Sequence, residues 1–294
     1  TYLQRQNWSQ VVALCQQVIA SGEYSLTPDF KDIWKDGLNG AGKNGPESIF
    51  EMQATIGANG TNNYGVQWGT SQNIRQGGAT NDWNLGWGWN QPTKVLVTAW
   101  DSTDPRRDKT ILFSGQSDGG ATTGGYGATL PPYDALGSAG HIEQPYWNKK
   151  VYSDPAMRSF TGQIGPDGGA DWINHRILRY ADVLLMLAEA SNEMGDGPTA
   201  EAMLEQVRAR ARNGNNAVLP HIAFVSQSQM RTAIKNERRW EFALEGYRFN
   251  DLVRWGDAQA VLGSLGYQPK NALYPIPQPA IDLSGGVLVQ NPNY

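Results

Sequence analysis

Between residues 25 and 172 almost nothing recurs with the period of a helix. Only short runs such as Ser48-Ile49-Phe50-Glu51-Met52 and Lys94-Val95-Leu96-Val97 read as strands. An irregular stretch of this length is uncommon in a compact protein and is usually functional. It is not a linker, because linkers do not carry so many aromatic rings. The chain holds 11 Trp and 12 Tyr against 7 Phe, together with 34 Gly. Large rings with polar edges, presented on irregular backbone, suit a surface that binds something amphipathic.

The flanks differ. Residues 1 to 24 read as one helix, with Trp8, Val11, Val12, Cys15, Val18 and Ile19 on an apolar face. Asn7 is placed to cap its start, with Gln10 three positions on, and Gly22 to close its end. Cys15 lies on the apolar face and reads as a small buried hydrophobe. From residue 173 onward the period returns, with Ile177, Ala181, Leu184, Ala188 and Ser191 forming one stripe. Gly195-Asp196-Gly197-Pro198 breaks it and starts a second helix, lined by Ala202, Leu204, Val207 and Ala211. The two helices make a hairpin of tetratricopeptide size. The fold class expected is mainly α, with tetratricopeptide-like hairpins and a large loop-rich region holding short strands. One domain over 1–294 is expected, with 1–24 and 173–294 as helical scaffold and 25–172 as the ligand-binding region.

Hydrophobic residues make up 39% and charged residues 18% of the chain, as in an ordinary globular protein. A net charge of −4 argues against a surface that tracks phosphates, so nucleic acid is not an expected partner. The single Cys excludes an internal disulfide framework. His141, His175 and His221 are scattered without metal-ligand spacing, and no metal or cofactor is expected. His175 reads as a histidine opening the Ile177 helix or held in the core.

The segment 236–256, NERRWEFALEGYRFNDLVRWG, reads as one charged helix with Glu237, Glu241 and Glu245 stacked at successive turns. Like charges so placed repel by roughly 0.2–0.5 kcal/mol per pair. Arg238, Arg239, Arg248 and Arg254 are expected to compensate. Carboxylates crowded by arginines have lowered pKa values, the wrong direction for a general acid, so this is a structural network.

Several long segments together resemble the SusD/RagB family. They are ILRYADVLLMLAEA (177–190), VRARA (207–211), ERRWEFALEGYRFNDLVRW (237–255), YPIPQ (274–278) and QNPNY (290–294). Upstream, GWGWNQPTKVLVTAWDSTDPRR (86–107) and NWSQVVALCQQVIASGEYSL (7–26) extend the likeness, colinear over essentially the whole chain. The resemblance implies a lipoprotein at the extracellular face of the outer membrane of Bacteroidetes. Such a protein is not an enzyme: it binds oligosaccharide and acts as a lid over a SusC-like TonB-dependent transporter. Family members begin with a signal peptide and a lipidated cysteine followed by helices, so this chain reads as shortened at its N-terminus, and Cys15 is not the lipid-bearing residue.

Within GGATNDWNLGWGWNQPT (77–93), Trp87 matches the family segment and reads as scaffold packed under the loop. Asp104-Pro105-Arg106 likewise reads as a framework turn, and Lys149, Lys150 and Tyr152 as framework. Tyr64, Trp68, Trp83 and Trp89 match no family pattern and are the expected ligand-facing rings. Arg75, Asn81 and Asp82 are expected at their edges, with Asn62, Asn63 and Asn84 as further edge groups, and Tyr126 and Trp147 stand second. A pyranose stacks its C–H face on a ring while its hydroxyls need donors and acceptors. One ring contributes at most about 2.5 kcal/mol, whereas millimolar affinity already needs about 4, so several are required. Two alternatives remain: a peptide ligand on the same fold, and a glycoside hydrolase using Asp101, Asp104 or Asp108.

Overall fold

Asn7 accepts the amide of Gln10, and Gly22 adopts a left-handed conformation at φ 69°, so helix α1 (Trp8–Ser21) starts and stops where its caps place it. The computed structural model describes residues 1–36, 42–56, 63–64, 67–75, 83–134, 143–154 and 172–294. Contacts along the chain divide it into two compact units, 1–245 and 246–294.

In the first unit α1 is followed by the strands β1 (Ser48–Met52), β2 (Thr55–Ile56) and β3 (Asn63–Tyr64). Short helices α2 (Trp68–Gln72), α3 (Lys94–Ala99) and α4 (Pro105–Thr110) then lead to β4 (Ile111–Phe113), α5 (Gly120–Thr123) and β5 (Tyr146–Asn148). Strand β6 (His175–Arg179) runs directly into α6 (Tyr180–Glu193), followed by α7 (Gly197–Arg212) and α8 (Gln227–Glu241). Helix α6 is buried along most of its length and is packed by α1, α7 and α8. Its small residues, Ala181, Ala188 and Ala190, are fully buried, which lets its neighbours approach closely. Asp196 caps α7, with Pro198 in its first turn as expected. Burial pushes the Cys15 thiol up to about 12, with the nearby Asp182 adding to the shift, so the thiol is an inert part of the α1 face.

Three two-stranded antiparallel pairs carry the irregular region: β1 with β6, β2 with β3, and β4 with β5. Two local expectations change. Lys94–Val97 is helical rather than a strand, because Thr93 accepts the amide of Leu96 and so caps α3. Short apolar runs do not separate strand from helix by period alone. His175 and Ile177 lie in β6 rather than in a helix, since β1 offers a pairing edge with Met52 opposite His175.

The charged segment also differs. Helix α8 ends at Glu241, and the backbone turns at Leu244 (φ 67°) and Gly246 (φ 91°) before the chain becomes helical again. Glu245 is therefore not on the same helix as Glu237 and Glu241. All three are buried and paired, mainly with cations from distant segments. Arg106 binds Asp104 at 2.8 Å, Glu241 at 3.1 Å and Glu237. Arg208 reaches Glu237 at 2.9 Å, and Arg210 joins Glu47 to Glu241. Arg179 contacts Glu47, Glu241 and Glu245, and Lys150 holds Glu245 at 2.6 Å. Burial alone would raise the Glu241 carboxyl, but Arg210, Arg179, Arg106 and Lys150 outweigh it and hold the group well below the usual range. Burial brings Lys150 down to about 8. Of the arginines expected to compensate, Arg238 binds Asp182, Arg239 lies over Trp240, Arg254 binds Asp251, and Arg248 opens the next helix. Residues one or two positions from a glutamate leave a helix on other faces.

In the second unit, α9 (Arg248–Trp255), α10 (Ala258–Leu262) and α11 (Gln278–Leu283) precede the end of the chain. Here the YPIPQ and QNPNY segments are zipped together. Gln290 exchanges two hydrogen bonds of 2.8 Å with the backbone of Ile276, and the Tyr294 hydroxyl donates to the Leu273 carbonyl.

Candidate functional site

The Trp-Gly-Trp turn is built on α2. The backbone N–H of Trp87 donates to the Thr70 carbonyl at 2.9 Å, that of Gly88 to Asn73 at 3.1 Å and that of Trp89 to Ser71 at 2.8 Å. So close an approach needs glycine before the turn, since a Cβ on Gly86 would lie 2.1 Å from the Thr70 carbonyl oxygen. Gln72, buried beneath, fastens three segments. Its amide donates to the Trp68 carbonyl at 3.1 Å, while its oxygen accepts from Asn90 at 2.6 Å and Asn148 at 3.0 Å. Trp89 is 61% exposed on this tethered backbone. Trp87, half-buried, lies against it at a centroid distance of 5.1 Å and a tilt of 59°. Trp87 thus belongs to the same ring pair and is not sealed under the loop.

The other end of α2 carries Trp68. Its ring is stacked on His175, with centroids 3.9 Å apart and planes 10° from parallel. Burial lowers the His175 pKa below the usual 6.5 and the Arg176 charge adds to this, so the imidazole is neutral at pH 7. Trp68 is therefore a half-buried ring backed by a neutral imidazole.

A second ring group lies over a core of Ile74, Leu85, Leu112, Leu130, Trp147 and Tyr152. Trp83 stacks on Tyr152 at 6.4 Å and 8°, and Tyr126 packs on the same ring at 5.3 Å. The loop that brings Tyr126 there is organised by Asp118, whose buried carboxylate accepts backbone N–H groups from Gly120, Tyr126 and Gly127 and the Tyr152 hydroxyl. These amides overcome the effect of burial and hold Asp118 below the usual carboxylate range. Lys149 clasps the same loop through the Asp118 carbonyl (2.6 Å) and the Thr123 hydroxyl (2.8 Å).

The structure distributes the expected residues unevenly. Trp68 and Trp89 share the α2 platform, Trp83 sits half-buried in the second group, and Arg75 is exposed between them. Arg75 pairs through its backbone with Asn84, which is buried. Tyr64 pairs through its backbone with Thr55, and its side chain, like that of Asn63, lies outside the described part of the structure. Asn62, Asn81 and Asp82 lie outside the described residues. Trp147, a second-rank candidate, is 1% exposed and donates its indole N–H to Ser114, so it is core and not ligand-facing. Sequence reasoning passed over Gln72, Asn90 and the stacking role of His175. The hydrogen-bond geometry of a buried Gln leaves no pattern in one sequence. Asp104, buried between Arg106 and the Trp100 indole, is the framework residue expected.

The scaffold of helical hairpins agrees with what comparison with known proteins finds. The SusD family model covers residues 46–272. The chain belongs to the SusD family. SusD-like protein P2 of Formosa agariphila is 27% identical over this whole chain, which spans 57% of that relative. A solved laminarin-binding SusD-like protein is 27% identical, with a TM-score of 0.70 over all of this chain and 60% of that one. Surface glycan-binding protein A from Bacteroides thetaiotaomicron, solved with laminarihexaose, shares the fold at a TM-score of 0.71 with 24% identity over all of this chain and 62% of that one. The chain thus spans about three fifths of the length of these relatives.

Proposed function

We propose that this chain carries the ligand platform of a non-catalytic surface glycan-binding protein. The observation that carries the proposal is Trp89, largely exposed on a backbone that α2 and Gln72 hold in place. A large ring left in water on an ordered support marks a recognition surface. Trp87 extends it, and Trp68 on its His175 backing adds a third ring. Three rings supply the several kilocalories that one cannot. A related SusD-like protein described as laminarin-binding supports a glycan as the ligand class.

In this reading 25–172 is the ligand-bearing region and 1–24 with 173–294 the scaffold. The protein hands oligosaccharide or polysaccharide to a SusC-like TonB-dependent transporter. It is held at the extracellular face of the outer membrane by an N-terminal lipid. Catalysis is not part of its work. Asp104 is committed to Arg106, and its carboxyl lies below the usual range, because the Arg106 charge and hydrogen bonds outweigh burial. Asp101 is engaged with Thr103, and Asp108 with Arg107.

The test is native affinity electrophoresis through soluble plant, fungal and algal polysaccharides, alongside Trp89→Ala and Trp68→Ala. Retardation in a glycan that either substitution weakens by about tenfold or more supports the reading. Retention by oligopeptides and by no glycan, or release of reducing sugar, overturns it.

A further inference from the structure

The platform carries one charge that nothing described so far uses. Arg75 lies three residues beyond the end of α2, and its side chain is exposed. Among the described residues no carboxylate pairs with it. Its stem is nevertheless fixed. The Arg75 backbone bridges to Asn84, and the adjoining Ile74 carbonyl accepts the amides of Leu85 and Gly86. The side chain lies directly over Gly88, between the two tryptophans of the turn. A Cβ placed on Gly88 would come within 2.9 Å of the Arg75 Cβ and 3.7 Å of its Cδ, with buried Trp147 at 3.4 Å on another side. Gly88 sits at φ 70°, where a side chain is disfavoured in any case. Glycine at this position therefore gives the arginine stem its seat. The guanidinium begins one bond beyond Cδ, so its charge springs from a stem packed against the glycine that joins Trp87 to Trp89.

A guanidinium is a planar fork of donors that fits a carboxylate or a sulfate through two parallel hydrogen bonds. Holding the stem in advance removes part of the ordering cost that binding would otherwise carry. An exposed arginine with no acidic neighbour would be solvated surface and nothing more if it stood alone. With its stem against the glycine that joins two rings, it is placed to read a substituent on a sugar stacked there.

We propose that Arg75 makes this platform a receptor for an acidic glycan, the guanidinium pairing with a carboxylate or sulfate while Trp87 and Trp89 carry the sugar faces. The proposal rests on the glycan-binding reading above and narrows it to a charged substrate class.

The experiment titrates the intact chain and its Arg75→Gln and Arg75→Lys variants with alginate, polygalacturonate and κ-carrageenan, and with laminarin and mixed-linkage β-glucan as neutral polymers. At least one acidic polymer is expected to bind more tightly than both neutral ones. Arg75→Gln should then weaken it by about tenfold to a hundredfold, as loss of a hydrogen bond to a charged group does. Arg75→Lys should weaken it less, and affinity should fall as salt rises. Binding to the uronate polymers alone assigns a carboxylate, and binding to carrageenan alone a sulfate ester. Preference for a neutral polymer, or unchanged affinity for the acidic one in Arg75→Gln, overturns this proposal and leaves the glycan-binding reading standing. Binding of no polymer by the folded chain overturns that reading too. Equal thermal midpoints of the three proteins show that any loss belongs to recognition, not to folding.

Discussion

Arg179 and Arg75 are both arginines among aromatic rings, and they do opposite things. Arg179 is 1% exposed, lies over Trp34 and Phe242, and is surrounded by Glu47, Glu241 and Glu245. Arg75 is exposed, its stem seated on Gly88, with no acid beside it among the described residues. In the first region every charge is met by another part of the chain. In the second the rings and the charge are held in place, and no described residue of opposite charge meets them. The difference shows how one molecule separates support from recognition. Buried charge matched within the chain fixes one arrangement of distant segments, and charge left over on a rigid support is available to a ligand.

The comparison breaks most readily at the buried network. Arg179→Met leaves three carboxylates short of a cation, and removal of one partner from a buried ion pair costs about 3–5 kcal/mol. Chemical denaturation should show a loss of that size, a large fraction of the about 5–15 kcal/mol that holds a domain together. A loss under about 1 kcal/mol would mean that the network is not what binds the helices to β1 and β6.

Acid tests the same network from the other side. Glu241 titrates below its ordinary value of 4.5 in the folded protein, so its contribution is fully present above that value and is lost as pH falls. Thermal midpoints should hold from neutral pH to about 5 and decline below it. In Glu241→Gln the protein should already be less stable at neutral pH and should lose less on acidification. An unchanged acid profile would remove Glu241 from the account.

The seat of Arg75 is a smaller lever. Gly88→Ala places a side chain at φ 70° against the Arg75 stem and should cost about 1–2 kcal/mol, read as a lower unfolding midpoint. Fluorescence of the Trp87 and Trp89 pair should shift with it, because the turn must move. Least of all, Trp89→Ala should change stability by under about 0.5 kcal/mol, as expected of a largely exposed side chain. A marked loss of stability there would make Trp89 part of the support and erase the contrast.

Much of the support was legible in the chain. Asn7, Gly22 and Asp196 announce helix ends because capping is local hydrogen bonding, decided within three or four residues. The small-residue stripe of α6 declared a buried helix for the same reason. The glutamates declared that cations must be near, but the ones expected, Arg238, Arg239, Arg248 and Arg254, are not their main partners. Their main partners, Arg106, Arg179, Arg208, Arg210 and Lys150, come largely from elements far away in sequence. The strand expected over Lys94–Val97 failed because four apolar residues suit either conformation and the Thr93 cap settled it.

The candidate site was legible in part. Composition marked out the rings but could not sort them. Trp147 became core and Trp83 half-buried, while Trp89 stands in water. Trp68 gained a histidine backing from a strand more than a hundred residues away.

By itself the sequence determined whatever acts over a few residues: helix caps, the apolar stripes of the helices, and a long aromatic segment too irregular to be scaffold alone. Tertiary structure decided which rings remain exposed and which cation meets which carboxylate. It also seated Arg75 on a glycine where, among the described residues, no carboxylate takes its charge. Burial and ion pairing depend on what the rest of the chain brings to a point in space, and no short window of sequence contains that.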